Sequence, residues 1–302
     1  MRAALRSGVR LLLAFILLVA GCSDTAEPAE GEPRLASLSP AVTSFVLAMG
    51  GRERLVAVSH YEADPAVADL PNAGDYLTVD WETLAAAEPT AVYVQAAADR
   101  LPAGLLTRAS ELDIDVRRVE IDLLTDAVIV MQDLLPRMPD EAAAQAALDA
   151  WREEVAAVAK ASADLPQVDT LIVTGLDNGY GVAGPDTHLD DMLTIAGGTN
   201  AAPGPGYATL DAESLAATAA EVVIVLAPDG NPDVSGLAAA LPAARVVIFG
   251  EPDDLLPGYN TAAQTRRMFD ALHTVDNHAP TGRRPSEEPA SASGLRPVGA
   301  WL

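Results

Sequence analysis

A repeated segment constrains the fold of this chain more than any other feature. Residues 76–95 read YLTVDWETLAAAEPTAVYVQ and residues 207–226 read YATLDAESLAATAAEVVIVL, so nine of twenty positions are identical at a constant offset of 131. Each copy predicts a loop aromatic, a short helix capped by an aspartate, and an apolar strand. The repeat therefore indicates two similar lobes that place equivalent loops face to face across a cleft.

Short apolar runs alternate with alanine-rich helical stretches along both halves of the chain. The predicted strands lie at 35–38, 55–58, 91–94 and 114–119 in the first half, and at 170–174, 222–226 and 245–249 in the second. Continuous apolar strands that alternate with helices are typical of mainly parallel sheets covered on both faces. The predicted fold class is α/β, with two Rossmann-like lobes.

One long α-helix is predicted to join the two lobes. Pro139, Asp140 and Glu141 form a good helix start, and apolar residues then recur at three- and four-residue steps. A helix of about 24 residues is about 36 Å long, which suits a rigid strut, although a long surface helix within one domain has the same pattern. The predicted segments are a first lobe at 34–138, the connecting helix at 139–164 and a second lobe at 165–275.

The N-terminus has the pattern of a lipoprotein signal peptide at residues 1–21. Three arginines precede an apolar run at 11–20, which is too short to span a membrane comfortably as a mature helix. The run ends in LVAGC at 18–22, which resembles a lipobox and predicts lipidation of Cys22. An ordinary export signal with a chance cysteine is the alternative. More than one acyl chain would give a stable membrane anchor.

Composition limits the remaining functions. The formal charge of −24 repels nucleic acid and anionic headgroups, so no nucleic-acid binding is expected. Cys22 is the only cysteine in the sequence, which excludes an internal disulfide and a cysteine-based metal cage. Residues 22–33 are predicted to be a flexible leash and residues 276–302 a disordered tail, because both are rich in small residues and proline.

Signatures of catalysis are missing from the sequence. It contains no P-loop, no Gly-x-Ser-x-Gly and no His-Glu-x-x-His. We therefore expect no enzymatic activity, no catalytic residues and no bound cofactor. The four histidines are scattered, so no metal site is expected. A receptor for free metal ions that uses His60 and His188 stays open as an alternative, as does a lipoprotein that scaffolds an envelope complex without a transported ligand.

Six short motifs occur in order on both sides of the predicted long helix. They are RLASLSP at 34–40, MGG at 49–51, VSHY at 58–61, DWETLAAAEP at 80–89, VAGP at 182–185 and LTIAGGTN at 193–200. On these motifs the chain resembles the periplasmic solute-binding proteins of ABC importers for cobalamin, haem and ferric siderophores. The resemblance covers residues 34–275. It implies two α/β lobes joined by one long helix, with a ligand bound between them.

The resemblance further implies which residues contact the ligand. These are Tyr61, Tyr76, Tyr180 and Tyr207, with Gln95 where the cobalamin-binding member has tryptophan, and His60 as a further candidate beside Tyr61. Tyrosine suits a large planar ligand because it combines an apolar face with a polar tip, and a phenolate can ligate haem iron. Any one tyrosine can equally be a half-buried packing residue. The matching positions of Tyr76 and Tyr207 favour the ligand role for that pair.

Partners are also implied by the resemblance. Glu82 and Glu213, one on each lobe, are expected to meet arginines of an ABC permease, although exposed glutamates in first helical turns are often only solvated. The permease works with ATPase subunits, which hydrolyse ATP in place of this chain. A monomeric, lipid-anchored, extracytoplasmic protein is expected, with a cobalamin-like or iron-chelate ligand. Arg100 is the nearest basic residue to the implied loops, so a carboxylate-rich siderophore is disfavoured.

Overall fold

The computed structural model describes residues 31–176, 179–228 and 230–274. Cys22, the signal peptide, most of the leash and the tail lie outside the described residues, so the predictions for them stay predictions. Within the described ranges, no helix combines the length and the hydropathy needed to cross a membrane.

The first lobe is built on a parallel four-stranded sheet. Its elements are β1 (Leu35–Ser37), α1 (Pro40–Ala48), β2 (Leu55–Ala57), α2 (Trp81–Ala86), β3 (Ala91–Gln95), α3 (Leu105–Glu111), β4 (Asp115–Val119) and α4 (Leu124–Leu134). The strand order is β2-β1-β3-β4, and every pairing is parallel. The near-continuous burial of β1 and β3 explains their apolar sequences, because helices cover a parallel sheet on both faces.

Helix α5 (Glu141–Ser162) follows the first lobe and has 22 residues, a length of about 33 Å. Its start is defined by Asp140, whose side chain accepts a hydrogen bond from the Ala143 N–H at 3.0 Å. One face is buried, from Leu148 through Trp151 to Val158. This stripe packs into a hydrophobic cluster that also includes residues of α1, α4, α6 and α9, so the helix is held by both lobes.

The second lobe has a mixed six-stranded sheet. Its elements are β5 (Val168–Gly175), β6 (Tyr180–Ala183), α6 (His188–Ile195), β7 (Gly198–Asn200), β8 (Tyr207–Leu210), α7 (Ala212–Ala216), β9 (Val222–Leu226), α8 (Ser235–Ala240), β10 (Arg245–Phe249) and α9 (Thr261–His273). The order is β10-β9-β5-β6-β8, with β7 also paired to β5. β10, β9, β5 and β7 pair in parallel, whereas β6 and β8 are antiparallel.

The predicted fold class is confirmed, with one refinement. The first sheet is entirely parallel, and the second is parallel except for the two short strands β6 and β8, which the sequence did not predict. The lobes also touch each other directly. The Leu124 N–H at the start of α4 donates to Asp191 Oδ2 on α6 at 3.0 Å. The connection between the lobes is therefore wider than one helix.

Candidate functional site

A cavity of about 550 Å³ opens at the edge of the first lobe that faces the second. Its wall includes residues that follow each of the four strands of the first sheet, namely Ser39, Ser59, Ala96 and Glu120. In open parallel sheets the carboxyl ends of the strands are where ligands bind, since the connecting loops diverge there. Leu256 and Pro257 of the second lobe complete the wall.

Gln95 is fixed on this wall by the start of α1. Ser39 is the N-cap of α1, and its hydroxyl donates to Gln95 Oε1 at 2.7 Å. Ser39 Oγ in turn accepts the Val42 N–H at 3.4 Å. Gln95 ends strand β3 and lines the cavity. A polar group held in this way is suited to orient a ligand, because little conformational entropy is lost when the ligand binds to it.

Two tyrosines predicted to contact the ligand lie on the cavity wall. Tyr61 is 58% exposed and Tyr76 is 41% exposed, and both line the cavity. Tyr76 lies in a turn in which Asp75 Oδ1 accepts the N–H groups of Leu77 at 2.7 Å and Thr78 at 2.8 Å. Two large aromatic side chains exposed on a concave wall form a surface on which a planar ligand can stack.

Tyr207, the counterpart of Tyr76 in the repeat, lies on strand β8 and is not among the residues that line the cavity. Its hydroxyl is 3.5 Å from His188 Nδ1. Although Tyr207 is 60% exposed as a residue, the protein around its hydroxyl and the Asp122 carboxylate raise its pKa to about 12. The phenol is therefore neutral at physiological pH in the unliganded protein.

His188 begins helix α6 and is buried, with 4% of its surface exposed. Burial lowers its pKa to about 4, because the charged imidazolium loses its hydration. Its Nε2 atom has no hydrogen-bond partner among the described residues. A neutral imidazole that donates from Nδ1 to Tyr207 would leave an acceptor without a partner, which costs less than an unpaired N–H.

The structure does not bring Tyr180 or His60 to the cavity. Tyr180 is half-buried and packs on the apolar cluster of the second lobe, where its hydroxyl would lie 2.6 Å from a Cβ placed on Gly236 of α8. His60 is exposed, its Nδ1 is 3.2 Å from Asn72 Nδ2, and its ring meets Tyr61 edge-on at 5.3 Å. A ligand-binding role for these two residues stays a prediction.

Charged groups on the wall were missed or left without a role by the sequence analysis. Arg100 is the only cationic side chain among the described lining residues. Two carboxylates, Glu120 and Asp122, lie on the same wall. Glu120 forms an ion pair with Arg118 at 2.7 Å. Burial and the carboxylates of Glu120 and Asp126 raise the pKa of Asp122. The rule that ligands bind at the carboxyl ends of strands would have pointed to Glu120 and Asp122, which directly follow β4.

The two helix starts in the repeat form as predicted. Asp80 Oδ1 accepts the N–H groups of Glu82 and Thr83, both at 3.1 Å, and Asp211 Oδ1 accepts the Ser214 N–H at 2.8 Å. These bonds hold the pKa of both aspartates below its ordinary value. Glu82 and Glu213 are exposed in the first turns that follow. Their contact with a permease stays a prediction.

In the part of the chain that the structure describes, no group of three or more histidine, cysteine, aspartate or glutamate residues is arranged to hold a metal ion. The cavity is instead aromatic on one side and carries single charges elsewhere. Two α/β lobes on one long helix, with such a cavity between them, define a class of proteins that hold a solute in a cleft.

A family model for periplasmic binding proteins matches residues 35–239, and the chain belongs to this family of substrate-binding proteins. Among solved structures, the haem-binding protein HutB of Vibrio cholerae is similar, with 22% identity over 80% of this chain and 99% of that chain, at a TM-score of 0.69. The vitamin B12-binding protein BtuF of Vibrio cholerae is also similar, with 16% identity over 80% of this chain and 96% of that chain, at a TM-score of 0.68.

A periplasmic haem-binding protein of Pseudomonas aeruginosa is also similar, with 22% identity over 80% of this chain and 92% of that chain, at a TM-score of 0.66. A search of curated protein sequences finds no significant match. At these identities the solved structures establish the fold that the chain shares with them.

Proposed function

We propose that this chain is the solute-binding component of an ABC importer and that it captures a metal-bearing tetrapyrrole, haem or a cobalamin-like corrinoid, in the cavity between the lobes. The observation that carries the proposal is the pair of exposed tyrosines, Tyr61 and Tyr76, on the wall of a cavity of about 550 Å³. An exposed aromatic pair at the carboxyl ends of parallel strands suits a large flat ligand.

The charges on the wall narrow the ligand class. Arg100 makes no side-chain hydrogen bond or ion pair with the described residues, so it is free to meet one carboxylate. Glu120 and Asp122 on the same wall repel additional negative charge. A polyanionic siderophore is therefore disfavoured, whereas a ligand with an apolar face and few carboxylates fits the balance of charges.

Within the tetrapyrrole class, ferric haem is the better candidate. A tyrosine phenolate is an established ligand of ferric haem iron, and two tyrosines line the cavity. The tryptophan that the cobalamin-binding member of the family carries after the third strand is replaced here by Gln95. Solved relatives of similar fold are described as binding haem or vitamin B12, which supports the class as a whole.

Absorption titration of the purified protein tests this proposal. Ferric haem, cyanocobalamin and a hydroxamate siderophore are added separately, and native mass spectrometry gives the stoichiometry. We expect saturable binding of haem, with a shifted visible spectrum that changes when Tyr61 and Tyr76 are both replaced by alanine. Leu112→Ala, which removes another exposed apolar side chain, is the matched control. Failure to bind either tetrapyrrole overturns the proposed ligand class.

We further propose that Glu82 and Glu213 dock the two lobes onto the permease. Their support is their equal position in the two copies of the repeat and their exposure in first helical turns. Glu82→Ala combined with Glu213→Ala should impair uptake in cells and leave ligand affinity unchanged. The control is Glu111→Ala with Glu153→Ala, which removes two other exposed glutamates. A loss of affinity in the first pair contradicts the docking role.

The anchor at Cys22 belongs to the same proposal. An acylated N-terminus would keep the protein beside the permease and raise their effective concentration. Cys22→Ser should move the protein from the membrane fraction to the aqueous fraction of the cell envelope, and mass spectrometry of the N-terminal peptide should lose the acyl mass. Equal membrane retention of the variant contradicts lipid anchoring through this residue.

A further inference from the structure

The loop at residues 250–260, between β10 and α9, is the part of the second lobe that reaches the cavity. Leu256 and Pro257 come from this loop, and they are the residues that the described part of the second lobe contributes to the cavity wall. We call residues 250–260 the crossover loop. Its position decides where one side of the cavity lies, so the contacts that fix it bear directly on binding.

A buried carboxylate fixes the crossover loop to its own lobe. Asp254 has no exposed surface, forms an ion pair with Arg267 of α9, and accepts the Glu251 N–H through Oδ2 at 2.8 Å. Its backbone carbonyl accepts from Gln264 Nε2, also at 2.8 Å. The Arg267 guanidinium is 4.7 Å from the centre of the Phe249 ring. Leaving a buried carboxylate without its partners is costly, so these bonds oppose movement of the loop away from its own lobe.

The other end of the crossover loop is attached to the first lobe and to the long helix. The Tyr259 N–H donates to Ser44 Oγ on α1 at 2.9 Å, and the Tyr259 hydroxyl donates to the Ala147 carbonyl on α5 at 2.9 Å. Asn260 Nδ2 donates back to the Asp253 carbonyl at 2.8 Å. Tyr259 thus joins the second lobe both to the first lobe and to the connecting helix α5.

Gly258 allows the loop to approach α1 this closely. A Cβ at this position would lie 2.5 Å from Ser44 Oγ and 3.1 Å from Asn260 Oδ1. The first distance is too short for a carbon–oxygen contact, so any other residue would push the loop and α1 apart. The Ser44 hydroxyl cannot turn away at no cost, because it donates to the Ala41 carbonyl at 2.7 Å and accepts the Tyr259 N–H.

We propose that the crossover loop is a further connection between the lobes, with Asp254 and Gly258 as its positioning residues, and that it holds the cavity preformed and slows release of the ligand. The inference rests on the proposed function only in taking this cavity as the ligand site. Together with α5 and the hydrogen bond between Leu124 and Asp191, the loop leaves the lobes little freedom to separate. A preformed wall lowers the ordering cost of binding, and this gain is expressed mainly in the dissociation rate.

Stopped-flow measurement of ferric haem dissociation tests the role of Asp254. Asp254→Asn keeps an acceptor for the Glu251 N–H but removes the charge that pairs with Arg267. We expect the dissociation rate to rise about tenfold, which corresponds to about 1.4 kcal/mol, with a much smaller change in the association rate. Asp253→Asn, a neighbouring carboxylate that has no ion pair among the described residues, is the matched control.

A steric cycle at Gly258 separates positioning from general destabilisation. Gly258→Ala should raise the haem dissociation rate about tenfold through its contact with Ser44 Oγ. Adding Ser44→Ala removes that oxygen and leaves Ser44 Cβ at 3.4 Å, an ordinary contact, but it also removes the acceptor of the Tyr259 N–H. Ser44→Ala alone should therefore raise the dissociation rate, and the double variant should show a smaller increase than the two single effects combined, because the clash is relieved. A role in stability alone would lower the melting temperature of both single variants without this smaller combined effect on the dissociation rate, and that outcome overturns the inference.

A measurement without ligand keeps the inference testable if haem does not bind. Spin labels at Leu106 of the first lobe and Ile248 of the second, both exposed, report the distance between the lobes in the full chain carrying Cys22→Ser. We expect a narrow distance distribution, broadened by Gly258→Ala and by Ser44→Ala alone, with the double variant broadened less than the two single effects combined because the clash is relieved. Equal widths in all variants contradict the inference, whereas missing haem binding alone contradicts only the proposed ligand.

Discussion

The two copies of the repeated segment build the same local unit in the two lobes. In each copy an aspartate caps a short helix, α2 or α7, and the chain then enters an interior strand of its sheet, β3 or β9. A leucine at the same place, Leu84 or Leu215, is fully buried. The residues that repeat are therefore the ones that specify the start of the helix and its contact with the core.

The copies differ in what precedes the helix. In the first lobe Tyr76 lies in a turn beside the cavity, and the segment outside this turn is held by an isolated bridge between Gly74 and Val79 and not by a strand of the sheet. In the second lobe Tyr207 lies in strand β8 and pairs with Ala183 of β6. The residues shared by the two copies form the same helix cap and the same core contact. The position of each tyrosine instead depends on neighbouring segments that the repeat does not include.

The largest expected effect tests whether both copies are core units. Leu84→Ala and Leu215→Ala each remove a fully buried side chain at matching positions. Each should lower the free energy of unfolding by about 2–5 kcal/mol, since the lost burial adds to the cost of a cavity. Urea unfolding followed by circular dichroism measures this. Leu77→Ala, at a 62% exposed position, is the control and should cost little.

A small loss of stability for either leucine variant would contradict the view that both copies of the repeat are core units. A cost below about 1 kcal/mol at one leucine would mean that its helix is not packed as the other is. Equal and large costs would show that the repeat specifies the same packing twice.

Protonation of His188, which lies on α6 of the second lobe, should make the stability of the protein depend on pH. Its pKa is about 4 in the folded protein and about 6.5 in the unfolded chain, so the unfolded state binds the proton more tightly. Stability is therefore highest above pH 6.5 and falls as the pH decreases from 6.5 to 4, by about 3 kcal/mol in total. Denaturant unfolding at a series of pH values measures this loss.

Replacing the imidazole separates this contribution from that of other groups. His188→Leu should flatten the stability profile between pH 6.5 and 4, even if it lowers stability at neutral pH. An unchanged slope in the His188 variant contradicts a buried neutral imidazole at the start of α6.

Most of the fold was predictable because its signals are local. The buried strands β3 and β9 are continuous apolar runs, and Asp140 marks the start of α5. Strands β6, β7 and β8 were missed because each has only three or four residues and is defined by its pairing with another strand, β6 with β5 and β8 with β6. Such pairing is a property of the assembled sheet and leaves little trace in either segment.

The site was predictable only in part, for a similar reason. Tyr61, Tyr76 and Gln95 lie on the cavity, as the resemblance implies. Tyr180 does not, and it packs on the apolar cluster of the second lobe with its hydroxyl close to Gly236 of α8. The crossover loop carries no recognisable motif, and its role follows from contacts with residues more than 100 positions away in the sequence.

Binding can sharpen the comparison between the two tyrosines. Tyr76→Ala should weaken ferric haem binding about tenfold, about 1.4 kcal/mol, because the ring is on the cavity wall. Tyr207→Ala should have a smaller effect, about threefold, since Tyr207 does not line the cavity in the unliganded protein. Absorption titration measures both. An equal or greater loss at Tyr207 would show that the lobes bring β8 onto the ligand on binding, and that the repeat places both tyrosines alike.

The smallest expected effect concerns the two caps. Asp80 accepts two backbone N–H groups and the Thr83 hydroxyl at 3.0 Å, whereas the main bond to Asp211 comes from the Ser214 N–H at 2.8 Å. Asp80→Ala should therefore lower the melting temperature by about 2 °C at pH 7, and Asp211→Ala by less. Differential scanning calorimetry resolves the two values.

Acid should abolish the difference between the caps. The folded pKa of both carboxyls is below the ordinary value of 3.8, so the stability they add is present above that pH and is lost as the pH falls through the folded pKa. Asp80→Asn keeps a neutral acceptor for the N–H groups, so its effect on the melting temperature should vary less with pH than that of Asp80→Ala. A larger effect at Asp211 than at Asp80 would contradict the bond pattern, because the cap with more donors would then contribute less.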